Sequence, residues 1–142
     1  MSKAIFVNLP VADVVAATAF YAAIGFERDA MFSNDRGSAM AWSDTIMVML
    51  LDRAFYATFT AKQIIDAKTT SGVLLALSFG SPADVDAITE AALAAGGREL
   101  HDPEDLGFMY SRAFEDLDGH GWGPFSMDMA AAAQAMGETQ PA

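Results

Sequence analysis

Residues 4–25 read AIFVNLPVADVVAATAFYAAIG, and this stretch decides the fold class because its hydrophobic period changes in the middle. Ala4 to Leu9 is a short apolar run closed by Pro10, which cannot donate to a sheet ladder and suits a strand's end. Beyond it Ala17, Phe20, Tyr21 and Ile24 recur at helical spacing. Asp13 is placed to cap that segment and Gly25 to supply the left-handed residue that ends it. A strand followed by a helix of about twelve residues is expected.

Outward from this pair, Phe26 to Phe32, Gly37 to Ser43 and Thr45 to Leu51 are separated by the turn formers Ser33-Asn34-Asp35-Arg36 and Ser43-Asp44, and read as three consecutive strands. The second half repeats the plan. Gly72 to Phe79 is strand-like, Ser81-Pro82 offers an N-cap and a first-turn proline, and Val85, Ile88, Ala92 and Ala95 mark a helical face ended by Gly96-Gly97. An offset of 71 residues superimposes Asp13 on Asp84, Val14 on Val85 and Gly25 on Gly96. Arg98 to His101, Phe108 to Phe114 and Trp122 to Met127 then supply three more strands, the last two joined by Asp116-Leu117-Asp118-Gly119-His120, whose Asp-Gly pair favours a tight turn. The expected fold is α+β, with two βαβββ modules in one domain over residues 1–128: module one at 4–52, a connecting segment at 53–70, and module two at 71–128. The connecting segment carries Phe55, Tyr56 and Phe59 and then Ala61 to Ala67, and reads as an aromatic loop leading into one short helix that covers a sheet edge or a pocket mouth. Residues 129–142 form a tail, helix-favouring from Ala130 to Met136 and expected to fray from Gly137.

Composition narrows the function classes. With 142 residues, 53% hydrophobic and 19% charged, the chain has the apolar content to fold as one domain. A formal charge of −11 opposes binding to nucleic acid or anionic membrane surfaces, which require a basic footprint. The absence of cysteine excludes disulfides, thiolate metal sites and a cysteine nucleophile. Neither a secretory leader nor an apolar run of about 18 residues is present, so a cytoplasmic location is expected.

Three motifs in order, Asn8-Leu9-Pro10-Val11-Ala12-Asp13, Phe20-Tyr21 with Gly25-Phe26, and Phe114-Glu115-Asp116-Leu117-Asp118-Gly119-His120, resemble the glyoxalase/bleomycin-resistance/dioxygenase proteins of the vicinal oxygen chelate superfamily. The resemblance covers roughly residues 4–128. It implies two modules whose curved sheets combine into an open, barrel-like cleft, commonly in a homodimer. It also implies, in the metal-dependent members, a divalent ion held by His, Glu or Gln side chains on four strands. Carried over position by position, those ligands fall on Phe6, Met49, Leu77 or a near neighbour, and Gly123, none of which binds a hard cation. The expectation is therefore no metal and no cofactor.

Strand alternation places Phe6 with Asn8, Met40 with Trp42, and Met47 with Met49 and Leu51. Two readings of these residues stand: methionines adapting to a flat or greasy ligand with Asn8 as an orienting hydrogen bond, or side chains packing a core. Tyr110 and Arg112 share a face of a later strand and are the catalytic candidates. Arg112 is suited to grip an anionic group, with a salt bridge to one of the chain's many acids as the competing reading. His120 belongs to the turn motif, and His101 lies beside a polar loop, Asp102 to Asp105. The acids Glu99, Asp102, Glu104, Asp105, Glu115, Asp116 and Asp118 read as solvated turn residues rather than a calcium site. The functional expectation is a metal-free, glyoxalase-like protein binding a small, mainly apolar ligand. The alternative is a glyoxalase-type lyase or isomerase of unknown substrate.

Overall fold

The computed structural model describes residues 3–139, and side chains through residue 135. The order of elements is β1 (Ile5–Val11), α1 (Val14–Ala23), β2 (Glu27–Asp29), a 3-10 turn (Ala30–Phe32), β3 (Gly37–Ala41), β4 (Ile46–Asp52), α2 (Arg53–Tyr56), β5 (Leu74–Phe79), α3 (Pro82–Ala94), β6 (Arg98–Asp105), β7 (Met109–Glu115), β8 (Gly121–Met127) and α4 (Met129–Thr139). The strands form two four-stranded sheets, β1-β4-β3-β2 and β5-β8-β7-β6. In each, the first strand runs parallel to the last of its module and the remaining pairs are antiparallel. This is an α+β fold of two βαβββ modules. The chain divides into two compact units, one running through Gly72 and taking in Asp116–His120, the other made of Val73–Glu115 and the residues from Gly121 onward.

In the first unit Asp13 caps α1 by accepting from the Ala16 N–H at 3.1 Å, and Gly25 follows at φ 108°. Leu9 and Val11 of β1 and Val48 and Leu50 of β4 are register neighbours or share their parity, and are buried with Ala17, Phe20 and Tyr21 of α1. Tyr21 meets Phe20 and Phe26 edge-on, each at 5.2 Å, and Trp42 packs on Phe26 at 5.0 Å. Each such buried aromatic or leucine contributes about 1.5–3 kcal/mol. Pro10 lies inside β1 rather than beyond its end. An edge strand tolerates proline where the missing N–H faces away from the ladder.

Further local expectations are corrected. The strand expected over residues 26–32 stops at Asp29, whose carboxylate accepts from the Met31 N–H at 3.0 Å and turns the chain into the 3-10 element. The helix expected over 61–67 is absent, and the short helix is α2, started by Asp52 accepting from Phe55 N–H at 2.6 Å. The segment is irregular, and the carbonyls of Ile64 and Ile65 accept from the Arg53 guanidinium.

In the second unit Ser81 caps α3 by accepting from Asp84 N–H, Pro82 opens its first turn, and Gly96 follows at φ 104°. The two helices therefore match at their glycine ends but not at their caps, since Asp84 lies inside α3. β6 runs on to Asp105, so His101 and the acids after it belong to a strand and not to a loop. Register shifts after Glu99 and after His101 let this edge strand carry Pro103. The tail is helical through Thr139, past the expected fraying point at Gly137, and residues 140–142 lie outside the described residues.

Candidate functional site

In the first sheet, α1 covers one face and leaves the other to the segment that follows β4. Register pairs Phe6 with Met47 and Asn8 with Met49, so these four side chains and Leu51 lie on the face opposite α1. Met40 does not join them. It pairs with Val48, is 0% exposed under α1 and, with Trp42 on the same parity, belongs to the core. Phe6, by contrast, is 58% exposed.

Over this face the α2 segment folds back and encloses a cavity of about 210 Å³ lined by Asn8, Leu51, Tyr56, Phe59 and Thr60. Phe55 and Phe59 stack edge-on at 5.1 Å, and the Arg36 guanidinium lies 4.9 Å over the Phe55 ring, which braces the segment. Neither the Asn8 carboxamide nor the Tyr56 hydroxyl has a hydrogen-bond partner among the described residues, so both are free to meet a ligand. Tyr56, Phe59 and Thr60 were not singled out as site residues from sequence. Their signal was the aromatic cluster in the connecting segment.

In the second sheet Leu77 pairs with Pro124 and Ala76 with Gly123. Leu77 is buried on the face carrying Phe114 and Trp122, which α3 covers, so the β5 position sharing Gly123's face is Ala76. The positions to which the resemblance assigns metal ligands thus read Phe6, Met49 and Gly123, with Ala76 rather than Leu77 beside Gly123, and none of these side chains offers an imidazole, carboxylate or amide oxygen. Among the described residues no three His, Cys, Asp or Glu side chains group as metal ligands. The residues present do not fit a family-type metal.

Tyr110 and Arg112 also lie on the helix-covered face, away from Gly123. Arg112, 8% exposed, donates through Nε and Nη2 to Glu99 at 3.0 and 2.9 Å, and through Nη1 to Asp86 at 3.1 Å and Glu90 at 2.9 Å. Tyr110 donates its hydroxyl to Asp86 at 2.6 Å. That bond holds the Asp86 carboxyl below its ordinary range, with Arg112 adding to the effect against desolvation. Asp86 in turn pushes the Tyr110 phenol up. Both catalytic candidates are held in one ion cluster, in which the Arg112 guanidinium goes to three carboxylates, as the salt-bridge reading expects.

The Asp116–His120 turn is buried in the first unit. Asp116 accepts from the N–H groups of Asp118 and His120, each at 2.9 Å, and from the Tyr21 hydroxyl. Asp118 accepts from Ala12 N–H at 2.9 Å, and His120 Nε2 donates to the Pro10 carbonyl at 2.7 Å. These bonds engage the free edge of β1 where Pro10 has no N–H to offer. His101 is exposed and contacts only the Asp102 carbonyl through Nδ1, at 2.8 Å.

Residues 4–123 match the family profile described as Glyoxalase/Bleomycin resistance protein/Dioxygenase superfamily. Among solved structures, a hypothetical protein from S. aureus is similar over 89% of this chain and 94% of its own, at 22% identity and TM-score 0.74. A glyoxalase/bleomycin resistance protein/dioxygenase family enzyme from Burkholderia phytofirmans PsJN aligns over 89% of this chain and 99% of its own, at 18% identity and TM-score 0.73. A glyoxalase-related enzyme from Fulvimarina pelagi aligns over 89% and 88%, at 17% identity and TM-score 0.74. At these identities the likeness speaks to the fold alone. Comparison with curated proteins gives no match. From the family match, and from the two βαβββ modules that carry it, the chain belongs to the glyoxalase/bleomycin resistance protein/dioxygenase superfamily.

Proposed function

We propose that the protein binds a small, mainly apolar ligand on the face of its first sheet opposite α1, without a metal ion. The observation that carries this reading is a cavity walled by Leu51, Tyr56 and Phe59 on the sheet face that also bears Phe6 and Met49, side chains that cannot hold a hard cation. At about 210 Å³ the cavity lies below the ~300–1,000 Å³ of sites for drug-sized ligands, so its occupant is a single ring or a short chain. Asn8 and Tyr56 supply the orienting hydrogen bonds, and Met47 and Met49 adapt to the ligand's shape. The same reading includes a homodimer, in which the exposed Ile5 and Phe6 of one edge strand and Val73 and Leu74 at the other are covered.

Titration calorimetry with p-cresol tests the site. A saturable one-to-one isotherm is expected, with Asn8→Ala weakening it about fivefold through the loss of one hydrogen bond. Phe59→Ala weakens it further by opening the wall. Equilibrium dialysis that loads one nickel, zinc or iron per chain overturns the metal-free reading. Turnover of hemithioacetals or epimerisable thioesters that survives a chelator replaces it with a lyase or isomerase.

A further inference from the structure

The second unit carries a larger cavity, of about 640 Å³, where α3 and β7 begin and β8 ends. It shares no residue with the 210 Å³ pocket. Tyr110 and Ser126, register partners on the helix-covered face, form one wall, and Phe108, Met109 and Met127 add apolar surface. Asp86, Asp105 and Asp128 bring three carboxylates to the same space.

Each carboxylate is held by one oxygen. Oδ1 of Asp86 takes the Tyr110 hydroxyl and Arg112, Oδ1 of Asp105 takes Gly107 N–H at 2.9 Å, and Oδ1 of Asp128 takes Ala131 N–H at 3.0 Å. The three Oδ2 atoms have no partner among the described residues. Arg112, the cation that reaches this cluster, is already shared with Glu90 and Glu99, so the cavity is left with an excess of negative charge. The positive end of α3 is offset by Asp84 in its first turn.

Ser126 is the independent sign of a ligand. The residue is 6% exposed, it lines the cavity, and its hydroxyl has no hydrogen-bond partner among the described residues, so the cavity is where that hydroxyl meets one. The three acids surround the space without grouping as metal ligands, which suits a cation spread over several atoms better than a bare ion.

We propose that this cavity binds a small organic cation, an ammonium or guanidinium group on an apolar body. Its N–H groups are met by the free oxygens of Asp105 and Asp128 and by the Ser126 hydroxyl, and its body lies on Phe108 and Met127. The site is separate from the apolar pocket proposed above, and the two stand or fall independently.

Calorimetry of the full chain at low salt with 2-phenylethylamine, against its near-isosteres 2-phenylethanol and 3-phenylpropionate, reads the charge requirement directly. The amine is expected to saturate one site, the alcohol to bind at least about tenfold more weakly, and the carboxylate not to bind. Asp105→Asn and Asp128→Asn keep the oxygen that accepts from the backbone and remove only charge. Each should weaken the amine about twofold to fivefold while the thermal midpoint holds. Ser126→Ala should do the same, and Phe59→Ala, in the other pocket, should leave amine binding unchanged. Equal affinity for alcohol and amine, unchanged binding in both asparagine variants, loss of binding in Phe59→Ala, or stoichiometric calcium binding that displaces the amine overturns the proposal.

Discussion

Gly119 sits at φ 94°, and a Cβ built on it would lie 2.6 Å from Lys68 N and 2.7 Å from the Ala67 carbonyl carbon. Both the backbone conformation and the close approach exclude a side chain, so Gly119→Ala should destabilise the fold by at least about 2 kcal/mol, read as a drop in the urea midpoint. The Asp118-Gly119 pair was legible in the sequence as a turn; its contact with a peptide 51 residues earlier was not. Beside it, burial pushes the Asp116 carboxyl up from 3.8, against the His120 charge, the Tyr21 hydroxyl and the backbone donors. The native state therefore holds this proton where the unfolded chain has released it. The stabilisation that follows is fully present below pH 3.8 and is lost as pH rises through the native pKa. Asp116→Asn keeps an acceptor for Asp118 and His120 N–H and removes that loss, so its stability relative to the parent should increase from about pH 4 to about pH 7 in paired urea titrations. A constant difference across that range would contradict the assignment.

At the scale of elements, α3 is tied to the β6–β7 pair through one guanidinium. The Glu99 contact is the best covered of its ion pairs, while Asp86 and Glu90 remain 48% and 64% exposed and count for less. Arg112→Met should cost about 2 kcal/mol in chemical denaturation, and Arg112→Lys should recover only part of it, because an ammonium cannot reach both sides of the cluster. Ser81-Pro82 and Asp13 announced their helices, since caps act within one turn. The helix expected over 61–67 gives way to an irregular segment that Arg53, eleven residues before Ile64, holds through the Ile64 and Ile65 carbonyls, a contact that local periodicity does not report. Strand faces were legible only in part: alternation joined Met47 to Met49 within β4, and said nothing of which face of the sheet α1 covers.

For the whole molecule, a formal charge of −11 makes self-repulsion a standing cost of compaction. Raising sodium chloride from about 0.02 to about 0.2 M should raise the thermal midpoint, because the Debye length falls below the spacing of surface acids. A midpoint that falls with salt would mean that the Arg112 cluster and its like outweigh the repulsion. The same charge disfavours a nucleic acid partner. Among the described residues no helix is long and apolar enough to cross a membrane.

The amino-acid sequence by itself determined the two βαβββ modules and their order, the capped starts at Asp13 and Ser81, and the left-handed glycines at positions 25 and 96. All of these follow from interactions within a few residues or from side-chain identity. Only the tertiary structure decided that Met40 and Leu77 lie under helices, that Ala76 replaces Leu77 opposite Gly123, that Arg112 is neutralised by three acids, and that Ser126 faces a cavity ringed by carboxylates. Those facts depend on sheet register and on which face a helix covers, and residues far apart in the chain set both.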